Sequence, residues 1–109
     1  MGIQGQDIML VLVTASSQEE AAKISEQAVQ SRLAACATMV PSVQSLYRWE
    51  GKVVNDQEVL VLLKTTADKY SALQDSVRKM HSYEVPEILG ISVDKGLPQY
   101  LEWVRQETT

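Results

Sequence analysis

Val43-Gln44-Ser45-Leu46-Tyr47-Arg48-Trp49-Glu50-Gly51-Lys52 alternates, turns and sets out again. Strand side chains alternate between faces, so Val43, Ser45, Tyr47 and Trp49 share one face and Gln44, Leu46 and Arg48 the other. Glu50-Gly51 reads as a tight turn. The strand before it begins near Ala35, and Pro41-Ser42 marks a bulge or bend within it, because proline has no amide to give the ladder. The strand after it covers Lys52 to Thr65 and carries the apolar run Val59-Leu60-Val61-Leu62-Leu63. Glu58 is expected on that strand's solvent face and Lys64 at its end.

Elements on either side complete a pattern. Ile8-Met9-Leu10-Val11-Leu12-Val13 is a continuous apolar run, as in a central strand. Ser16 with Glu19, or Ser17 with Glu20, has capping-box spacing. Ala21, Ile24, Ala28 and Val29 then mark one face of a helix reaching about Arg32. A second helix spans Asp68 to Met80 with Leu73, Val77 and Met80 as its buried stripe. A fourth strand runs from Glu87 to Val93, and Leu97, Leu101 and Val104 line a final helix. The order is βαββαβ plus a helix. Right-handed crossovers put both major helices on one face of a four-stranded antiparallel sheet, an α+β ferredoxin-like plait. The hairpin has up to roughly fourteen residues per arm against a usual strand length of ~5–6. Two helices cannot cover it, and its outer half carries Tyr47 and Trp49 beside Leu46 and Val53. An uncovered apolar hairpin is an aggregation hazard, which predicts a closed homo-oligomer.

Composition narrows the function. The 109 residues predict one domain, 1–109, able to bury roughly 65% of its unfolded surface without disulfide or structural metal. Cys36 is the single cysteine, so there is no internal disulfide framework. The net charge is −4, and the scattered basic residues offer no footprint for nucleic acid. No apolar run approaches the ~20 residues of a membrane span. Met1-Gly2-Ile3-Gln4-Gly5-Gln6 does not read as a signal peptide, and the expected location is the cytoplasm.

The residues that carry chemistry cluster in His81-Ser82-Tyr83-Glu84-Val85-Pro86-Glu87-Ile88, at a helix-to-strand junction where scaffolds usually carry function. His81 is the only histidine. With Glu84 or Glu87 it would suit Cu(II) or Zn(II); alternatively it ends the helix, where a cation favours the dipole. Cys36 is either a small buried hydrophobe or a soft Cu(I) ligand. Glu84 and Glu87 would do acid–base work only in a cleft, and Pro86 between them prescribes an extended path. Tyr47, Trp49 and Tyr83 suit interface packing or a pocket between subunits. Thr14-Ala15-Ser16-Ser17 leads into a helix N-terminus, where capping or an anion fits. No Walker loop, zincin motif or credible nucleophile–base pair is present, so an enzyme is not expected.

Leu33-Ala34-Ala35-Cys36-Ala37, Ser45 to Lys52, Glu58 with Leu62-Leu63-Lys64-Thr65, and His81-x-Tyr83-Glu84-x-Pro86-Glu87-Ile88 occur in this order. Together they resemble the CutA family of divalent-ion tolerance proteins, from Ile8 to about Val104. The resemblance implies a ferredoxin-like homotrimer with interlocking hairpins, a link to copper tolerance, and kinship in fold with PII signalling proteins. Ser82 stands where that family usually has proline, which predicts a looser loop. Its single cysteine argues against a thiol-rich copper site. The leading expectation is a non-enzymatic trimer binding Cu2+ or another divalent metal ion through His81 with Glu84 or Cys36. The alternative is a PII-like sensor or adaptor, holding a small ligand between subunits and contacting an unidentified protein partner.

Overall fold

Glu50 and Gly51 both have positive φ, 50° and 78°, as a two-residue hairpin turn matching the strand twist requires. From that turn the computed structural model builds a four-stranded sheet; it describes residues 7–109. Met1 to Gln6, with the reading made of them, lie outside the described residues. The elements are β1 (Ile8–Ala15), α1 (Gln18–Gln30), β2 (Cys36–Trp49), β3 (Lys52–Thr66), α2 (Tyr70–Met80), β4 (Ile88–Ser92) and α3 (Pro98–Glu107). The strand order is β2-β3-β1-β4, with every pairing antiparallel. The expected α+β architecture is therefore present. No described helix is long and apolar enough to cross a membrane.

Parity along the strands decides which face each residue joins. Val11, Val13 and Ala15 pair with Leu63, Val61 and Val59. These side chains pack under Ala21, Ile24 and Ala28 of α1 and Leu73 and Val77 of α2, forming the main core. On the opposite face Ile8 packs with Ala35 and Val104, flanked by Val93 and Leu101, beneath α3. Among the described residues no helix covers the rest of that second face. Leu10, Leu12, Leu60 and Leu62 are half-buried there, and Val40, Leu89 and Ile91 are exposed.

The expected bulge is present. Val40 pairs with Leu60 and Val43 with Glu58, so Pro41 and Ser42 together face Val59. Ser42 has φ 59°. The extra residue flips parity, which puts Cys36, Thr38 and Val40 on the same face as Val43, Ser45, Tyr47 and Trp49. β1 ends at the Ala15–Val59 pair, so the hairpin beyond it stands free and the molecule is 46 Å long by 25 and 21 Å. Leu46, Trp49 and Val53 are 71%, 63% and 62% exposed on that arm.

Helix ends depart from the expectations. Ser17 caps α1, its hydroxyl accepting from the Glu20 amide. The helix stops at Gln30 rather than Arg32. Arg32 takes φ 63°, and the Arg32 and Leu33 amides donate to Val29 and Ala28, a Schellman closure. Arg32 holds the position glycine usually takes, and its guanidinium bonds the backbone oxygens of Gln106 and Thr109 at the end of α3. Val29 and Met80 are exposed, not core, because each sits in the last turn, beyond the sheet face that the helix covers. Leu97 is exposed too, as the residue before α3. Asp68 lies in a short 3-10 turn, Ala67–Lys69, ahead of α2.

Gly90 lies at the centre of β4, opposite Val11. A Cβ there would stand 2.8 Å from the Tyr70 ring and 2.8 Å from the Met9 methyl. Gly90→Ala is expected to cost about 1–3 kcal/mol through this overpacking, read from urea unfolding at fixed protein concentration.

Candidate functional site

α2 ends at His81, whose amide still bonds to Val77. The segment from Ser82 to Glu87 then carries the chain past the end of β1 to β4. It is held there by residues far away in sequence. The His81 side chain is wholly buried. Its Nε2 lies 2.7 Å from the Thr14 carbonyl, an acceptor only, so Nε2 carries the hydrogen. Nδ1 is then bare and accepts the Tyr83 amide at 3.1 Å. Both nitrogens are engaged by the protein in this arrangement, and Glu20 Oε1 lies 3.8 Å from Nδ1. The Tyr83 ring leans on it at 4.6 Å and 50°.

Glu20 forms the second tie. Its carboxylate accepts from the Ser16 amide at 2.9 Å, the Ser16 hydroxyl at 3.0 Å and the Ser82 amide at 2.8 Å. Burial pushes this carboxyl up, but the hydrogen bonds from Ser16 and Ser82 prevail and hold it below its ordinary value. The Ser82 amide is a donor proline lacks. Ser82 therefore adds a tie, contrary to the looser loop expected of it.

Glu58 forms the third. It is 7% exposed, not on a solvent face, and Tyr83 donates its hydroxyl to Oε2 at 2.9 Å. Burial, then the Glu58 carboxylate, push the Tyr83 phenol far above its usual range. Further out, Tyr47 donates to Asp56, and that bond raises the Tyr47 phenol as well. None of the ion pairs among the described residues involves Asp56 or Glu58. Beside Glu58 lies a depression of about 120 Å³, lined by Ser16, Gln18, Ser42, Gln57, Glu58 and Val59. It sits where the bulge of β2, the N-terminus of α1 and the free hairpin meet.

The anticipated metal residues are not brought together within one chain. Glu84 is exposed on the loop. Cys36 pairs with Lys64, whereas His81 touches Thr14, which pairs with Leu60. Four residues of strand separate these levels, about 13 Å. Among the described residues no three His, Cys, Asp or Glu side chains converge as a metal centre would need. Thr14, Ser16, Glu20 and Glu58 are the members of the site that local spacing did not single out for this role. Glu58 had one usable signal, its shared parity with Leu60 and Leu62, which assigns it to their face rather than the solvent side.

The comparisons with known proteins agree with this fold. The family model described as CutA1 divalent ion tolerance protein matches residues 9–107. The divalent-cation tolerance protein CutA of Thermus thermophilus is 44% identical over 91% of this chain and 96% of its own. Human protein CutA is 41% identical over 93% of this chain, which spans only 56% of that longer protein. Among solved structures, the Thermus thermophilus protein superposes with a TM-score of 0.91 at 43% identity, covering 94% of this chain and 99% of that one. CutA from Xylella fastidiosa gives 0.92 at 39%, with the same coverage. With the motifs in order, the sheet in this topology and a family match over nearly its whole length, the chain belongs to the CutA1 divalent ion tolerance family.

Proposed function

We propose that this protein is a non-enzymatic homotrimer that contributes to divalent-cation tolerance by holding a divalent cation at Glu58. One observation carries the reading: Glu58 is a buried carboxylate whose bond in the chain comes from a neutral phenol, not from a cation. Buried charges are ordinarily paired or coordinate metals. The carboxylate with the Tyr83 phenol beside it presents oxygen, the donor type that suits a hard ion. One carboxylate does not complete such a site, so neighbouring subunits supply the remaining ligands. The exposed Trp49, Leu46 and Val53, with the bare second face of the sheet, favour that assembly. A single thiol fits a reducing compartment such as the cytoplasm.

Cu2+ at His81 and Glu84 would require the ring to surrender the Thr14 or the Tyr83 bond. A small ligand of the PII kind, held in the cleft between subunits, is the alternative reading. Calorimetric titration of untagged protein with Mn2+, Mg2+ and Cu2+ tests the assignment. Glu58→Gln is expected to weaken binding at least about tenfold, the loss of one charged ligand being worth about 1.4 kcal/mol or more. Equal affinity in Glu58→Gln and the parent would end the Glu58 reading. Copper binding lost only in Glu84→Gln would move the site to the octapeptide. Light scattering that returned a monomer would end the trimer.

A further inference from the structure

The strongest cluster outside the site lies at the far end of the sheet. Cys36 and Lys64 face each other across β2 and β3, and the Lys64 Nζ stands 3.7 Å from the Cys36 Sγ. Lys64 also donates to the Thr38 hydroxyl at 2.6 Å. None of the ion pairs among the described residues includes Lys64, although its side chain is half-buried. Tyr100 of α3 reaches the same thiol, and burial first, then that contact, push its phenol up. Two nucleophiles, an amine and a thiol, therefore meet in one half-buried corner under a third polar group. A cation site does not suit this corner, since the ammonium already occupies the approach to sulfur.

We propose that Cys36 and Lys64 form a peroxide-triggered cross-link, a sulfenamide joining β2 to β3. A hydroperoxide oxidises the Cys36 thiol to the sulfenic acid, and its O–O bond breaks to give water or an alcohol. The Lys64 nitrogen then attacks the sulfenic sulfur. An S–N bond forms, the S–O bond breaks, the oxygen leaves as water, and the ammonium releases one further proton to solvent. Sulfenic acids condense with nearby nucleophiles in this manner, with a thiol or with an amide nitrogen. Here the resolving group is an amine already in contact with the sulfur. The strands need not move, because the two residues are register partners. The bond would protect the thiol from the irreversible sulfinic stage, and a reducing thiol would reopen it.

The test is mass spectrometry of the intact assembled protein after hydrogen peroxide treatment. The expected product is lighter than the untreated chain by two hydrogens and has no titratable thiol. Its digest lacks tryptic cleavage after Lys64, links the peptides of Cys36 and Lys64, and is restored by dithiothreitol. Lys64→Arg keeps the charge but supplies no equivalent amine, and should instead accumulate a sulfenic acid trapped by dimedone. Oxygen gained at Cys36 in the parent protein with Lys64 still cleavable would overturn the proposal. So would a product that joins the two residues but retains the oxygen, or a thiol that survives peroxide unchanged.

Discussion

His81→Ala is expected to destabilise the protein by about 3 kcal/mol, because it removes the partner of one buried and one part-buried backbone group. The imidazole satisfies the Thr14 carbonyl and the Tyr83 amide together, and its own side chain is wholly buried. The Tyr83 ring also loses the surface on which it leans. His81→Gln can still donate to Thr14 and should lose about half as much. Urea unfolding at fixed protein concentration gives the totals, and hydrogen exchange locates them: the Tyr83 amide should exchange faster in both variants. A His81→Ala protein as stable as its parent would mean that the ring is not a structural bridge. The result also bears on metal binding. A copper titration that fails in His81→Ala would report a collapsed loop as readily as a missing ligand, whereas Glu58→Gln removes a charge with little change of shape.

Leu63→Ala should cost as much or more, about 2–5 kcal/mol. Leu63 is fully buried on β3, the strand between β1 and β2. It faces both α1 and α2 in the main core. Its neighbours Val11, Val61 and Leu73 are themselves fully buried, so the cavity cannot be filled by a side chain swinging in from the surface. Here the loss should be global, with exchange rising through β1 and β3 alike. A cost below that of an exposed substitution would mean that this layer is not the centre of the core.

These two positions mark what was legible in the chain. Leu63 is legible as part of the apolar run Val59 to Leu63, and the stripe of Leu73 and Val77 has the period of its helix, but the run itself does not say which of its faces meets the helices. The bulge at Pro41-Ser42 and the turn at Glu50-Gly51 are likewise written in single residues, a proline that lacks an amide and a glycine free to take positive φ. Val29 and Met80 misled because periodicity identifies a helix face but not how far the sheet beneath it extends. The octapeptide is legible, but neighbours in sequence point only to His81 with Glu84. The groups that hold it are Thr14, Glu20 and Glu58, each brought there by the crossovers. Hydrogen bonds between residues so far apart leave no spacing to read. The Arg32 clamp on α3 leaves no local signal for the same reason.

The kink at Pro41-Ser42 also limits what can be added to the sheet. β2 is an edge strand, and a straight edge of that length would take a second strand, then a third, without end. At the kink there is no amide on Pro41, and two residues occupy the space of one. A neighbouring strand can follow the edge on one side of the kink but loses its register on crossing it. Growth along this edge therefore stops after a short neighbour, and the kink guards the strand against fibre-like addition.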